Sequence, residues 1–82
     1  MKQLLKFSAT WCGPCKSLSN NFANVDLREV ELVNVDIEEQ SEKAVQYGIR
    51  GVPTMVLLED GVEVKRKSGV MAADQIEAFI HD

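Results

Sequence analysis

Two cysteines, Cys12 and Cys15, are the side chains in this sequence of 82 residues whose type and spacing announce covalent chemistry. They stand in the run Trp11-Cys12-Gly13-Pro14-Cys15-Lys16, and a C-x-x-C pair serves either dithiol–disulfide exchange or metal binding. At the start of a helix, residues at this spacing share one face, close enough to bridge with little backbone movement. The unpaired N–H groups and the macrodipole at that end favour an anion, so the leading thiol is acidified. About 2 kcal/mol of such stabilisation raises the thiolate fraction at pH 7 from a few per cent to roughly half. On this reading Cys12 is the exposed nucleophile, and Cys15, one turn further in, is shielded and more nearly neutral. Cys12 attacks a substrate disulfide, a mixed disulfide forms, and Cys15 attacks in turn to release the reduced substrate. The reaction needs no cofactor bound in the domain.

Metal binding is the competing use. Structural zinc takes four ligands, whereas this chain offers one cysteine pair and a single histidine, His81, near its end. We therefore expect no metal. His81 reads as a solvated terminal residue in preference to a catalytic base.

The elements that must position the pair follow from hydrophobic periodicity. Leu4 to Phe7 is a short, mostly apolar run that predicts a buried strand leading into a loop at Ser8-Ala9-Thr10. Cys15, Leu18, Phe22 and Val25 then recur at spacings of three and four, the stripe of an amphipathic helix, and Pro14 suits its first turn. Val30 to Ile37 predicts a second strand. A short helix over Ser41 to Tyr47 closes at Gly48. Thr54 to Leu58 and Val62 to Lys67 flank Glu59-Asp60-Gly61, a hairpin signal, with Val62 and Val64 alternating with Glu63 and Lys65. Ala72, Ile76, Phe79 and Ile80 mark a C-terminal helix. The order is β-α-β-α-β-β-α, in one α/β domain spanning residues 1–82, with a right-handed crossover between the first two strands.

With these residues in view, the chain resembles the thioredoxin family along almost its whole length. Trp11-Cys12-Gly13-Pro14-Cys15-Lys16 is similar to that family's active-site motif, and Tyr47-Gly48-Ile49-Arg50-Gly51-Val52-Pro53-Thr54 resembles the segment carrying its cis-proline. The resemblance implies a cis Val52–Pro53 bond, with Pro53 against the disulfide and the Val52 backbone pairing with an extended substrate segment. It implies that Gly69 and Trp11 border the same groove. From the residues alone, Trp11 could instead be a core aromatic, and Gly69 could answer only to turn geometry.

The chain also departs from the family pattern. Members commonly carry a further strand and helix before the point where this sequence starts, so the expected sheet has four strands, ordered second, first, third, fourth. The second strand is an edge. Lys6 occupies the position of the family's buried acid, and the lysine that partners that acid aligns with Asn34. A cation cannot accept a proton as the acid does. Lys6 either stabilises a thiolate from below the motif or extends to solvent without effect. Asn20 replaces the proline that commonly kinks the active-site helix, which predicts a straighter helix.

The net charge of −4 argues against nucleic-acid or anionic-membrane partners, and Lys65-Arg66-Lys67 reads as a solvated strand face. No segment has the run of apolar residues that a membrane span needs, and Lys6 interrupts the only candidate for a signal-peptide core. These features predict a cytoplasmic monomer. The resemblance implies a protein-disulfide reductase, acting on disulfide-containing proteins and recharged by a separate thioredoxin reductase that draws electrons from NADPH or ferredoxin. Two alternatives stay open: a glutaredoxin-like specialised electron donor, for example to ribonucleotide reductase, and a non-catalytic binding subunit of this fold.

Overall fold

The computed structural model describes residues 1–82, arranged as β1 (Lys2–Ser8), α1 (Gly13–Asn21) with a short 3-10 turn at Phe22–Asn24, β2 (Glu31–Asp36), α2 (Ser41–Gln46), β3 (Thr54–Glu59), β4 (Val62–Ser68) and α3 (Ala73–His81). The four strands form one sheet in the order β2-β1-β3-β4, as expected. β1 runs parallel to β2 and antiparallel to β3, with Lys6 opposite Asn34 on one side and Met55 on the other.

Strand alternation divides the core into two layers. Leu4, Met55 and Leu57 pack with Leu18 of α1 and Ile76 and Ile80 of α3. On the other face, Leu5, Phe7, Val35, Val56 and Leu58 pack with Tyr47, Ile49 and Val52 from the segment that follows α2. The two central strands are buried on both faces, which is why Met55 to Leu58 reads as a continuous apolar run and Leu4 to Phe7 as one broken only by Lys6. This double burial fixes the end of β1, and with it the loop that delivers Cys12.

Two local devices behave as their sequences require. Asp60 and Gly61 take φ of 52° and 84° in the turn between β3 and β4, conformations that an Asp-Gly pair adopts readily. Gly48, at φ 63°, ends α2, where an L side chain would be strained. α1 runs without interruption through Asn20 before tightening at Phe22.

β4 departs from simple alternation. The register shifts between Leu57, opposite Lys65, and Leu58, opposite Glu63, so Val64 is the extra residue of a bulge. Val62 and Val64 are both exposed, and Lys65 turns instead to lie over the Phe79 ring of α3. No helix is long and apolar enough to cross a membrane.

Candidate active site

The loop leaving β1 is held by a hydrogen bond from the Cys12 N–H to the Ala9 carbonyl, 3.2 Å, which turns the chain directly into α1. Cys12 is the cap residue of that helix, in extended conformation, with Gly13 and Pro14 in its first turn. Its Sγ accepts the backbone N–H of Cys15 at 3.2 Å. This is the place of a capping oxygen in an ordinary helix, taken by sulfur. Neither Gly13 nor Pro14 adds bulk over the pair, and a side chain at Gly13 would meet open space.

Cys12 and Cys15 are joined as a disulfide, their Cα atoms 5.3 Å apart. Each residue is only 4% exposed, so the expectation that Cys12 stands out in solvent is corrected. The reason is mutual cover: in the oxidised pair each sulfur shields the other, while Ala9, Ile37 and Val52 pack around both. Sequence spacing shows which helical turn a residue occupies, but not what the neighbouring loops lay across it.

Of the remaining predicted residues, Val52 packs against the pair and Trp11 directly precedes it in the chain. The Val52–Pro53 peptide is cis, and Pro53 is buried at the head of β3. Val52 reaches the disulfide cluster. Gly69, at φ 96°, donates its N–H to the Pro53 carbonyl at 3.0 Å and leaves open space where a Cβ would project. Thr54 steadies the same corner, its hydroxyl donating to the Gly51 carbonyl at 2.8 Å and meeting the Ser68 hydroxyl at 3.1 Å. Trp11 is 67% exposed beside Cys12 and is therefore no core aromatic.

Lys6 lies lower, on the α1 side of β1. The residue is 6% exposed, yet its ammonium reaches the rim of α1, where it donates to the Ser19 hydroxyl and sits 5.2 Å from the centre of the Phe22 ring. Ser19 lies one turn beyond Cys15 on the same face of the helix. Burial pulls the Lys6 pKa below its ordinary value.

One residue that sequence reasoning passed over belongs to this region. Asp36, at the end of β2 and opposite Ser8 in register, lines an open groove with Cys15. Its signal was faint: an acid at the carboxyl end of a strand next to the strand that feeds the motif. His81 is remote, lining a cavity with Met1, Lys2 and Arg28 and bonding to the Asp26 carbonyl. No group of three or more His, Cys, Asp or Glu side chains is placed to hold a metal ion.

A disulfide seated at a helix start, beside an exposed indole, defines a protein of dithiol–disulfide exchange. Comparison with known proteins narrows the class. The family model for thioredoxin matches residues 1–82. The thioredoxin of Chlamydia trachomatis serovar D is 37% identical over 79 residues, covering 94% of this chain and 78% of that protein. That of Alicyclobacillus acidocaldarius is 33% identical over 82 residues, covering 96% and 78%. Among solved structures, a mutant thioredoxin from Halobacterium salinarum superimposes with TM-score 0.87 at 34% identity, covering 96% of this chain and 71% of that one. Fasciola hepatica thioredoxin gives 0.85 at 33% identity, covering 94% and 76%. The chain belongs to the thioredoxin family, and it is a thiol–disulfide oxidoreductase.

Proposed function

We propose that this protein is a general reductant of protein disulfides, with Cys12 as the attacking thiol and Cys15 as the resolving one. The observation that carries this assignment is the hydrogen bond from the Cys15 N–H to the Cys12 sulfur at the first turn of α1. When the disulfide is reduced, that donor and the positive end of the helix dipole favour the Cys12 anion. Cys15 lies within the helix and has no such cap of its own.

Trp11, Val52, Pro53 and Gly69 form the substrate groove. The Val52 backbone pairs with an extended segment of the substrate, the bare Gly69 admits its close approach, and Trp11 supplies an exposed apolar wall. Gly13 and Pro14 set the turn that brings the sulfurs together. Lys6 tunes the pair: its ammonium, held at Ser19 one turn from Cys15, stabilises thiolate and so makes the reduced form more stable and the protein a milder reductant. Electrons come from NADPH or ferredoxin through a separate thioredoxin reductase. The protein acts as a monomer in the cytoplasm, a compartment in which thiols are kept reduced.

Two measurements test this. NADPH-dependent reduction of a disulfide-containing protein, through a generic thioredoxin reductase, is expected for the wild type and lost in Cys12→Ser. In a cell extract, Cys15→Ser is expected to accumulate mixed disulfides through Cys12. Partners retained equally by the Cys12→Ser, Cys15→Ser double variant would refute the exchange mechanism.

A further inference from the structure

The groove beside Cys15 contains a carboxylate that the exchange chemistry described above does not use. It has a volume of about 450 Å³ and is lined by Ser8, Ala9, Thr10, Cys15, Lys16, Ser19, Asn20 and Asp36. Asp36 is the only carboxylate in this lining, whose other polar side chains are hydroxyls, an amide, an ammonium and the Cys15 sulfur. The ammonium of Lys6 approaches the same groove from β1, through Ser19.

Asp36 is also held in place. Its Oδ1 accepts the backbone N–H groups of Glu38 at 2.8 Å and Glu39 at 3.2 Å, which fixes the carboxylate at the end of β2 and leaves Oδ2 free. The Ile37 N–H donates to the Ser8 carbonyl at 2.9 Å and ties this turn to the loop that carries the cysteines. The charged side chains around the carboxylate are thus Lys6 from β1, Lys16 from α1, and Glu38 and Glu39 of its own turn.

We propose that Asp36 is the general base for the resolving thiol. This proposal rests on the assignment of Cys15 as the resolving residue. Once Cys12 is joined to a substrate sulfur, the Cys15 S–H proton passes through solvent in the groove to the Asp36 carboxylate. The Cys15 thiolate then attacks the Cys12 sulfur. The Cys15–Cys12 bond forms, the bond from Cys12 to the substrate sulfur breaks, and that sulfur departs with the electron pair as thiolate. It recovers the proton from the Asp36 carboxylic acid or from water. The protein dithiol is oxidised to its disulfide, and the substrate disulfide ends as two thiols. Lys6 and Lys16 favour the Cys15 anion by charge but hold no vacancy for its proton, so the two functions are divided between neighbouring groups.

The test is a single-turnover reaction of the reduced protein with an aromatic disulfide that releases one coloured thiolate when Cys12 attacks and a second when Cys15 resolves. In Asp36→Asn the amide oxygen still accepts the Glu38 and Glu39 N–H groups, so the turn is kept while the base is removed. The first release is expected at the wild-type rate. The second is expected to slow at least about tenfold at pH 7, with the gap narrowing at alkaline pH, where hydroxide removes the proton without a protein base. Asp36→Ser, which also preserves an acceptor for the turn, is expected to match it. An unchanged second phase at pH 7 would overturn the proposal, as would a deficit that persists undiminished at high pH, because that marks a structural cause. Absence of the first phase in the wild type would instead refute the assignment of Cys12, so the two failures are distinguishable.

Discussion

A Cys15→Ser variant, which cannot form the disulfide, isolates Cys12 at its cap position, where its reactivity is set by two contributions. A hydrogen bond to a charged acceptor contributes about 1.5–3 kcal/mol, and a helix N-terminus contributes about 0.3–1 kcal/mol to a nearby anion. The neutral thiol keeps part of the first, so about 2 kcal/mol of net preference for the anion is a fair sum. That lifts the thiolate fraction at pH 7 from about 3% to about 50%, roughly fifteenfold, which is the behaviour known for thioredoxins generally and not peculiar to this chain. A more stable thiolate is also a poorer nucleophile, by roughly fivefold for a shift of this size. The two effects leave Cys12 about threefold faster than free cysteine toward iodoacetamide at pH 7. At pH 9.5, where both thiols are ionised, it should be about fivefold slower. The crossing of the two pH–rate curves is the signature, read by quenched alkylation and mass spectrometry. A Cys12 curve that parallels free cysteine at every pH would refute the claim that the helix start holds the anion.

Three further outcomes are expected. Leu18 is fully buried where α1 meets the sheet, so Leu18→Ala should cost about 2–5 kcal/mol in urea unfolding while leaving Cys12 alkylation in the folded fraction unchanged. Trp11→Ala should leave the urea midpoint within about 0.5 kcal/mol of wild type, because the indole is exposed, but lower kcat/KM for a protein disulfide. Burial lowers the Lys6 pKa, so just below the ordinary lysine value the unfolded chain binds more protons than the folded one, and stability rises with pH there. Lys6→Met removes that slope. Its stability relative to wild type should therefore decline as the pH rises toward 10.5, and parallel profiles would contradict the assignment.

The sequence by itself determined much of this protein, because its signals are local. The cysteine spacing with Pro14 marked a helix start, Asp60-Gly61 marked a tight turn, and the mostly apolar run Leu4 to Phe7 marked a buried strand. The strand order and the cis bond before Pro53 came from the family resemblance, and both are present in the structure. Periodicity missed the register of β4. A bulge depends on how two strands pair, and nothing within Val62 to Lys67 shows that Val64 has no partner. The burial of Cys12 was equally illegible, since its cover comes from Ala9, Ile37 and Val52, which converge only when loops from three parts of the chain are brought together. Lys6 and Asp36 make the same point with charge. Each is one polar residue in a strand, and only the packing of α1 against β1 and the parallel register of β2 carry one to Ser19 and the other to the groove of Cys15. Backbone preference acts over a few residues and is written in the chain; the dielectric and the neighbours of a side chain are set by segments far away in sequence, and only the folded structure decides them.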